Sequence, residues 1–233
     1  IDNSIVWLSR NTNPASPTFG QLTYGGRIVH GAAGVTGLDG PVALAIAPDG
    51  SQVYVAAFDS NSLTTLDRNA ATGALTFAAT IADGSPHLLG GASAVTVTPD
   101  GRVVAVAAAT DAAVSTYARN LLTGALTRIG SQTDATRLAG TRGLAASADG
   151  ASLYASGATN GYLVGYSIGA GGSLTFIDEA REGISGVSGL AGAGGVTLSP
   201  DARLIAVYGA TSGAVAVFDR LGGASLGQFD FGE

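Results

Sequence analysis

The tetrapeptide Ala-Pro-Asp-Gly at Ala47–Gly50 returns three times along the chain. It reads Thr-Pro-Asp-Gly at Thr98–Gly101, Ser-Ala-Asp-Gly at Ser147–Gly150 and Ser-Pro-Asp-Ala at Ser199–Ala202. The aspartates stand at positions 49, 100, 149 and 201, so the period is about fifty residues. Repetition at such a period marks an array of similar units.

Each of these turns lies between two short apolar runs. Before it come Val42–Ala47, Ala94–Thr98, Gly143–Ser147 and Gly195–Ser199. After it come Gln52–Phe58, Arg102–Ala108, Ser152–Ser156 and Arg203–Tyr208. Short runs rich in Val, Leu, Ile and Tyr, bounded by turn residues, predict strands. A third strand is expected at Ser62–Arg68, Ala113–Arg119, Tyr162–Ile168 and Ala214–Arg220. A turn then leads to a fourth. It reads Thr-Gly-Ala-Leu-Thr at Thr72–Thr76 and Thr123–Thr127, and is degenerate at Gly171–Thr175 and Gly222–Leu226.

Four strands in about fifty residues predict an all-β propeller with four-stranded antiparallel blades. The N-terminus supplies half a unit. Ile5–Arg10 matches the third strand and Gln21–Val29 the fourth, with Pro14 and Pro17 breaking the loop between them. The expected organisation is one domain: a half blade over 1–35, then blades over about 36–85, 86–136, 137–187 and 188–233. The final strand is expected near Leu226–Phe231.

Composition agrees with a fold made of turns. Gly accounts for 36 of 233 residues, about twice its usual share. The net charge of −6 argues against nucleic acid and anionic membranes, which require a basic footprint. With no cysteine, disulfides, thiolate metal sites and Cys nucleophiles are excluded. No apolar run is long enough for a membrane span. The chain begins at Ile1 without a signal peptide, which reads as a processed product or part of something longer. The absence of Cys and Met suits an extracytoplasmic bacterial protein.

The Pro-Asp-Gly turn, the run Val-Tyr-Val-Ala-Ala at Val53–Ala57 and the Thr-Gly-x-Leu turns resemble the lactonase-family and YVTN-type β-propeller repeat. The resemblance covers nearly the whole chain. It implies blade architecture, in a group that mixes lactonases, surface-layer proteins and secreted proteins of other kinds. Enzymes of the group resemble seven-bladed rings, which at this period need roughly 350 residues. Four blades and a half therefore imply a five-bladed ring, a ring completed by another chain or another copy, or a stacked assembly.

In a propeller, the turns between second and third strands and the connections between blades share one face. His30 and His87 fall there, and such a pair can bind a metal or move protons. Asp59 and Asp111 fall in the turns, where oxygen ligands for calcium or ordinary turn formers both fit. Arg137, Arg142, Arg181 and Glu182 fall in the connections, where they either hold an anionic or lactone substrate or are simply solvated. These eight are the candidate ligand-binding residues. No catalytic set, metal site or cofactor is called. Arg10, Arg68, Arg119 and Arg220 recur at one register and are read as blade packing. The strand tyrosines Tyr54, Tyr117, Tyr154, Tyr166 and Tyr208 are read as core.

The leading functional expectation is a non-catalytic module for binding or assembly. The alternatives are a lactonase-like hydrolase or isomerase acting in the propeller channel, and a structural repeat of a fibre or surface layer.

Overall fold

The computed structural model describes residues 2–231. Each Asp-Gly turn joins two antiparallel strands. Asp49 shows why: its Oδ1 accepts from the Ser51 N–H at 3.0 Å and from the Ser51 hydroxyl at 2.6 Å, while Gly50 takes φ +71°. Aspartate closing its own turn and glycine supplying positive φ is the chemistry such a turn demands.

Blade I contains β3 (Pro41–Ile46), β4 (Gln52–Ala57), β5 (Ser62–Arg68) and β6 (Leu75–Ala82). Blade II contains β7 (Ala92–Val97), β8 (Val103–Ala108), β9 (Ala113–Arg119) and β10 (Leu126–Thr133). Blade III contains β11 (Thr141–Ala146), β12 (Ser152–Gly157), β13 (Tyr162–Ile168) and β14 (Leu174–Arg181). Blade IV contains β15 (Ala193–Leu198), β16 (Leu204–Gly209), β17 (Ala214–Arg220) and β18 (Phe229–Phe231). Within each blade, sequential strands pair antiparallel. β1 (Ser4–Arg10) and β2 (Leu22–Val29) form a separate two-stranded sheet, the half blade. The last strand is shorter than expected. A 3₁₀ turn at Gly223–Ser225 takes up the residues before it, leaving only Phe229–Phe231 to pair with β17.

The core lies between blades rather than within one. One apolar cluster joins Ile5 and Ile28 of the half blade to Val53, Val55 and Leu66 of blade I. Others join blades I and II, II and III, and III and IV. Every residue of the second strands β4, β8 and β12 is buried, because a blade lies on each side. Fully burying one such Leu or Val contributes about 1.5–3 kcal/mol.

Among the described residues the arc is open at both ends. Leu44 of β3 is 54% exposed, whereas Val95 and Leu144 at the same register of blades II and III are 8% exposed. Tyr208 of β16 is 51% exposed, unlike the buried Tyr54, Tyr117, Tyr154 and Tyr166. The reading of Tyr208 as core fails for a tertiary reason: no blade lies beyond blade IV among the described residues.

Arginines clasp the blades at the face carrying the Asp-Gly turns. Arg119 of blade II donates through Nε to the Tyr54 hydroxyl of blade I at 2.9 Å and through Nη2 to Asp49 at 2.8 Å. Arg220 of blade IV repeats both contacts on Tyr154 and Asp149 of blade III, at 2.9 and 2.8 Å.

These turns make the fold sensitive to acid. The Asp49 carboxyl is held down to about 2 against an ordinary 3.8, first by the Ser51 hydroxyl and N–H, with Arg119 adding to them. Asp149 is lowered as well; partial burial opposes its charge, but Ser147, Ala151 and Arg220 outweigh burial. A folded-state value below the unfolded one stabilises above the unfolded pKa and is lost as pH falls through the folded pKa. Stability is therefore expected to fall between pH 3.8 and about 2, with a shallower fall in Asp49→Asn. Denaturant midpoints measured across that range check it; parallel curves for the two proteins would refute it.

Candidate functional site

The upper face carries the turns between second and third strands and the connections between blades. Its geometry repeats from blade to blade. Gly140 (φ +66°) and Gly192 (φ +70°), just before β11 and β15, pass so close to the next turn that a Cβ would meet Thr159 Oγ1 at 2.7 Å and Thr211 Oγ1 at 2.5 Å. Glycine is required there for both its positive φ and its missing side chain. This close approach seats two threonine hydroxyls at the top of the inner strands.

Between blades III and IV that seat opens into a groove. One cavity of about 250 Å³ is lined by Gly140, Arg142, Thr159, Gly192 and Thr211. A second of about 370 Å³ shares Thr159, Gly192 and Thr211 and adds Asn160, Arg181 and Glu182. Arg142 is the second residue of β11, where the other inner strands carry Val42, Ser93 and Gly194. It is exposed, and among the described residues no hydrogen bond or ion pair engages its guanidinium. Arg181 stacks over the Tyr162 ring, 5.5 Å from its centroid. Glu182 accepts from the Leu190 N–H through Oε2 at 2.5 Å and lines the second cavity. The site can thus hold an anion or a polarised carbonyl at Arg142, with hydroxyl and amide groups beside it.

Of the eight candidates, Arg142, Arg181 and Glu182 share this groove; the other five lie elsewhere. His30 accepts from the Leu38 N–H through Nδ1 at 3.1 Å. His87 stacks on Tyr117, with Nδ1 3.3 Å from the phenol oxygen, and burial raises that phenol to about 12. Arg137 is paired with Glu179 and with Asp134, the latter at 2.8 Å, and lies over the Phe176 ring. Asp59 lies against Gly40, and Asp111 accepts from the Gly90 N–H at 2.8 Å. The contacts of Asp59 and Asp111 tie connections to turns. No group of three or more metal-ligating side chains occurs among the described residues. Sequence reasoning passed over Thr159 and Thr211. Their signal is the Ala-Thr dipeptide that recurs in the turns at Ala109–Thr110, Ala158–Thr159 and Ala210–Thr211.

A larger cavity of about 520 Å³ lies at the outer rim, lined by Asp178, Arg181, Phe218 and Asp230 among others. It sits beside β18, whose three residues replace the eight of the other fourth strands. It lies beside the short strand and shares Arg181 with the second cavity.

The family model described as "Lactonase, 7-bladed beta-propeller" matches residues 3–142. A putative 6-phosphogluconolactonase from Bacteroides fragilis is similar with TM-score 0.73 and 16% identity, covering 98% of this chain and 63% of that one. The periplasmic gluconolactonase of Pseudomonas aeruginosa gives TM-score 0.72 and 21% identity, covering 92% and 60%. A putative 6-phosphogluconolactonase from Bacteroides uniformis gives 0.68 and 15%, covering 82% and 53%. The chain thus spans between about half and two thirds of these structures. None of the curated proteins matches it. Among the described residues no helix is long and apolar enough to cross a membrane. The family match and the lactonases among its structural neighbours overturn the expectation of a non-catalytic binding or assembly module and favour the hydrolase alternative. That expectation rests on the missing catalytic constellation, the acidic and charge-poor composition and the incomplete ring, and a propeller site assembled from several blades leaves no contiguous motif to find. More than half of the chain lies within the family match, and the chain belongs to the lactonase family of seven-bladed β-propellers.

Proposed function

We infer that the chain carries the substrate groove of a lactone hydrolase acting on sugar-acid lactones. The observation that supports this reading most is Arg142: an unpaired guanidinium on a channel-lining strand in a lactonase-family propeller. In the proposed reaction water adds to the lactone carbonyl, the acyl C–O bond breaks, and the ring oxygen leaves with a proton as a hydroxyl. Arg142 donates to the carbonyl oxygen as negative charge develops on it, then pairs with the product carboxylate. Glu182, oriented by Leu190, takes the proton of the attacking water. Thr159, Asn160 and Thr211 hold sugar hydroxyls, and Arg181 receives an anionic group at the far end. Blades III and IV are both four-stranded, so the groove is assembled within the described arc.

Proton release from gluconolactone and from its 6-phosphate by purified protein tests the reading. Turnover well above the spontaneous rate is expected. Its absence in folded protein would overturn the assignment. The proposal also places the protein outside the cytoplasm, in keeping with its lack of cysteine and its periplasmic structural neighbour. Fractionation of the native host checks this, and recovery in the cytosol alone would oppose it.

A further inference from the structure

The turn between β12 and β13 runs Thr159-Asn160-Gly161-Tyr162, and Asn160 is the only asparagine of the chain that glycine follows. The others precede Ser, Thr, Pro, Ala or Leu. A side chain after asparagine shields the next backbone nitrogen, and glycine leaves that nitrogen open.

The fold requires this glycine. Gly161 takes φ +65°, and a Cβ there would meet the Glu182 Cβ at 2.8 Å and the Leu190 carbonyl oxygen at 3.1 Å. It does not require the asparagine. The corresponding turns of blades II and IV place Asp111 before Ala112 and Ser212 before Gly213.

Asn160 is exposed and lines the groove. Its Nδ2 donates to the Thr136 carbonyl at 3.0 Å, and among the described residues nothing donates to its Oδ1. In each of the other asparagines Oδ1 accepts a backbone N–H, as Asn61 does from Gly91 at 2.6 Å and Asn120 from Leu122 at 2.9 Å. The Gly161 N–H has no acceptor among the described residues either. A hydrogen-bonded amide must first be released before it can react, at about the net worth of the bond. Here both reacting groups, the amide carbonyl and the following nitrogen, are free of that hold.

We propose that Asn160 and Gly161 form a self-modifying site that ages the groove. The Gly161 nitrogen attacks the Asn160 amide carbon, the bond from that carbon to Nδ2 breaks, and ammonia leaves with the Gly161 proton. The succinimide so formed takes up water at either carbonyl and opens to aspartate or isoaspartate. Either product puts an ionised carboxylate where a neutral amide stood. An oxygen then meets the Thr136 carbonyl in place of the donating Nδ2, acceptor against acceptor. The connection that carries Arg137 and leads to Arg142 loses that tie to the turn. The new charge also joins Glu182 and Arg181 in one cavity, where it opposes an anionic ligand. This last consequence rests on the lactone-hydrolase reading; the covalent change does not.

The test holds purified, folded protein at mildly alkaline pH and follows deamidated and isoaspartyl peptides by mass over time. Conversion is expected to be about tenfold faster at Asn160 than at any other asparagine, the factor for one hydrogen bond that need not be broken first. Asn160→Ser, which borrows the Ser-Gly pair of blade IV, should show no conversion at that position. As wild type ages, KM for the 6-phosphate of gluconolactone should rise several-fold, and Asn160→Asp should show the raised KM when fresh. Asn160→Ser should keep its own starting KM throughout. Conversion spread evenly over the exposed asparagines, or Asn160 intact after others have reacted, would overturn the proposal. Conversion at Asn160 with a steady KM would overturn its effect on the groove. Conversion at Asn160 in protein that hydrolyses neither lactone at any age would uphold the modification and remove the hydrolase reading instead.

Discussion

Arg142→Ala is expected to lower kcat/KM for lactone hydrolysis about a hundredfold, by the magnitude typical of losing one donor to a developing oxyanion. No hydrogen bond, ion pair or ring stacking engages the guanidinium among the described residues, so the substitution removes no polar contact of the fold. Exposed positions of that kind change stability by no more than about 0.5 kcal/mol. The loss should fall on kcat as well as KM, because the charge on the carbonyl oxygen grows toward the transition state. Arg142→Lys should recover part of the activity, since it restores charge but not the two-pronged donor geometry. Steady-state kinetics on the three proteins, with matched melting temperatures, is the measurement. Equal kcat/KM in wild type and Arg142→Ala would remove Arg142 from the site.

Arg119→Ala is expected to destabilise the protein by about 3 kcal/mol, the low end of the range for breaking a buried ion pair. The arginine side chain is 1% exposed, while Asp49 is 44% exposed and can recruit water, which holds the figure down. Truncation removes the donor to Tyr54, Asp49, Ser51 and Gln52 together. It also opens a cavity between blades I and II. For a chain of this size the midpoint should fall by roughly 10 °C. Tyr54→Phe alone should cost about 1 kcal/mol, the net worth of one hydrogen bond. Tyr54→Phe combined with Arg119→Met should cost less than the sum of the two single changes. The interface between blades II and III supports this, because Ala105 and Ile168 already fill the same register without polar atoms. Denaturant unfolding of wild type, Tyr54→Phe, Arg119→Met and the double variant measures the coupling; strict additivity would mean the clasp is two independent contacts.

The third strand was readable to the residue in all four full blades: Ser62–Arg68, Ala113–Arg119, Tyr162–Ile168 and Ala214–Arg220. Both its ends are marked by turn residues, so local chemistry defines them. The first strands were placed one or two residues late, at Val42 for Pro41 and at Gly195 for Ala193. They follow connections whose path is set by a neighbouring turn, as Gly140 against Thr159 shows, and no local signal records that.

The recurring arginines were recognisable as structural from register alone, but not as clasps reaching the preceding blade. The candidate groove was half legible. Arg142, Arg181 and Glu182 stood out because the repeat does not account for them, whereas Thr159 and Thr211 were hidden by it.

The sequence by itself determined the unit: four strands, their turns, their order and the count of four blades and a half. Those features depend on neighbours in the chain, through turn chemistry and apolar runs repeated at a period near fifty. Only the tertiary structure decided that Tyr208 and Leu44 are bare among the described residues, and that Arg137 is paired while no ion pair there engages Arg142. Burial and pairing depend on what stands on the far side of a residue. In a propeller the far side is the next blade, about fifty residues away along the chain.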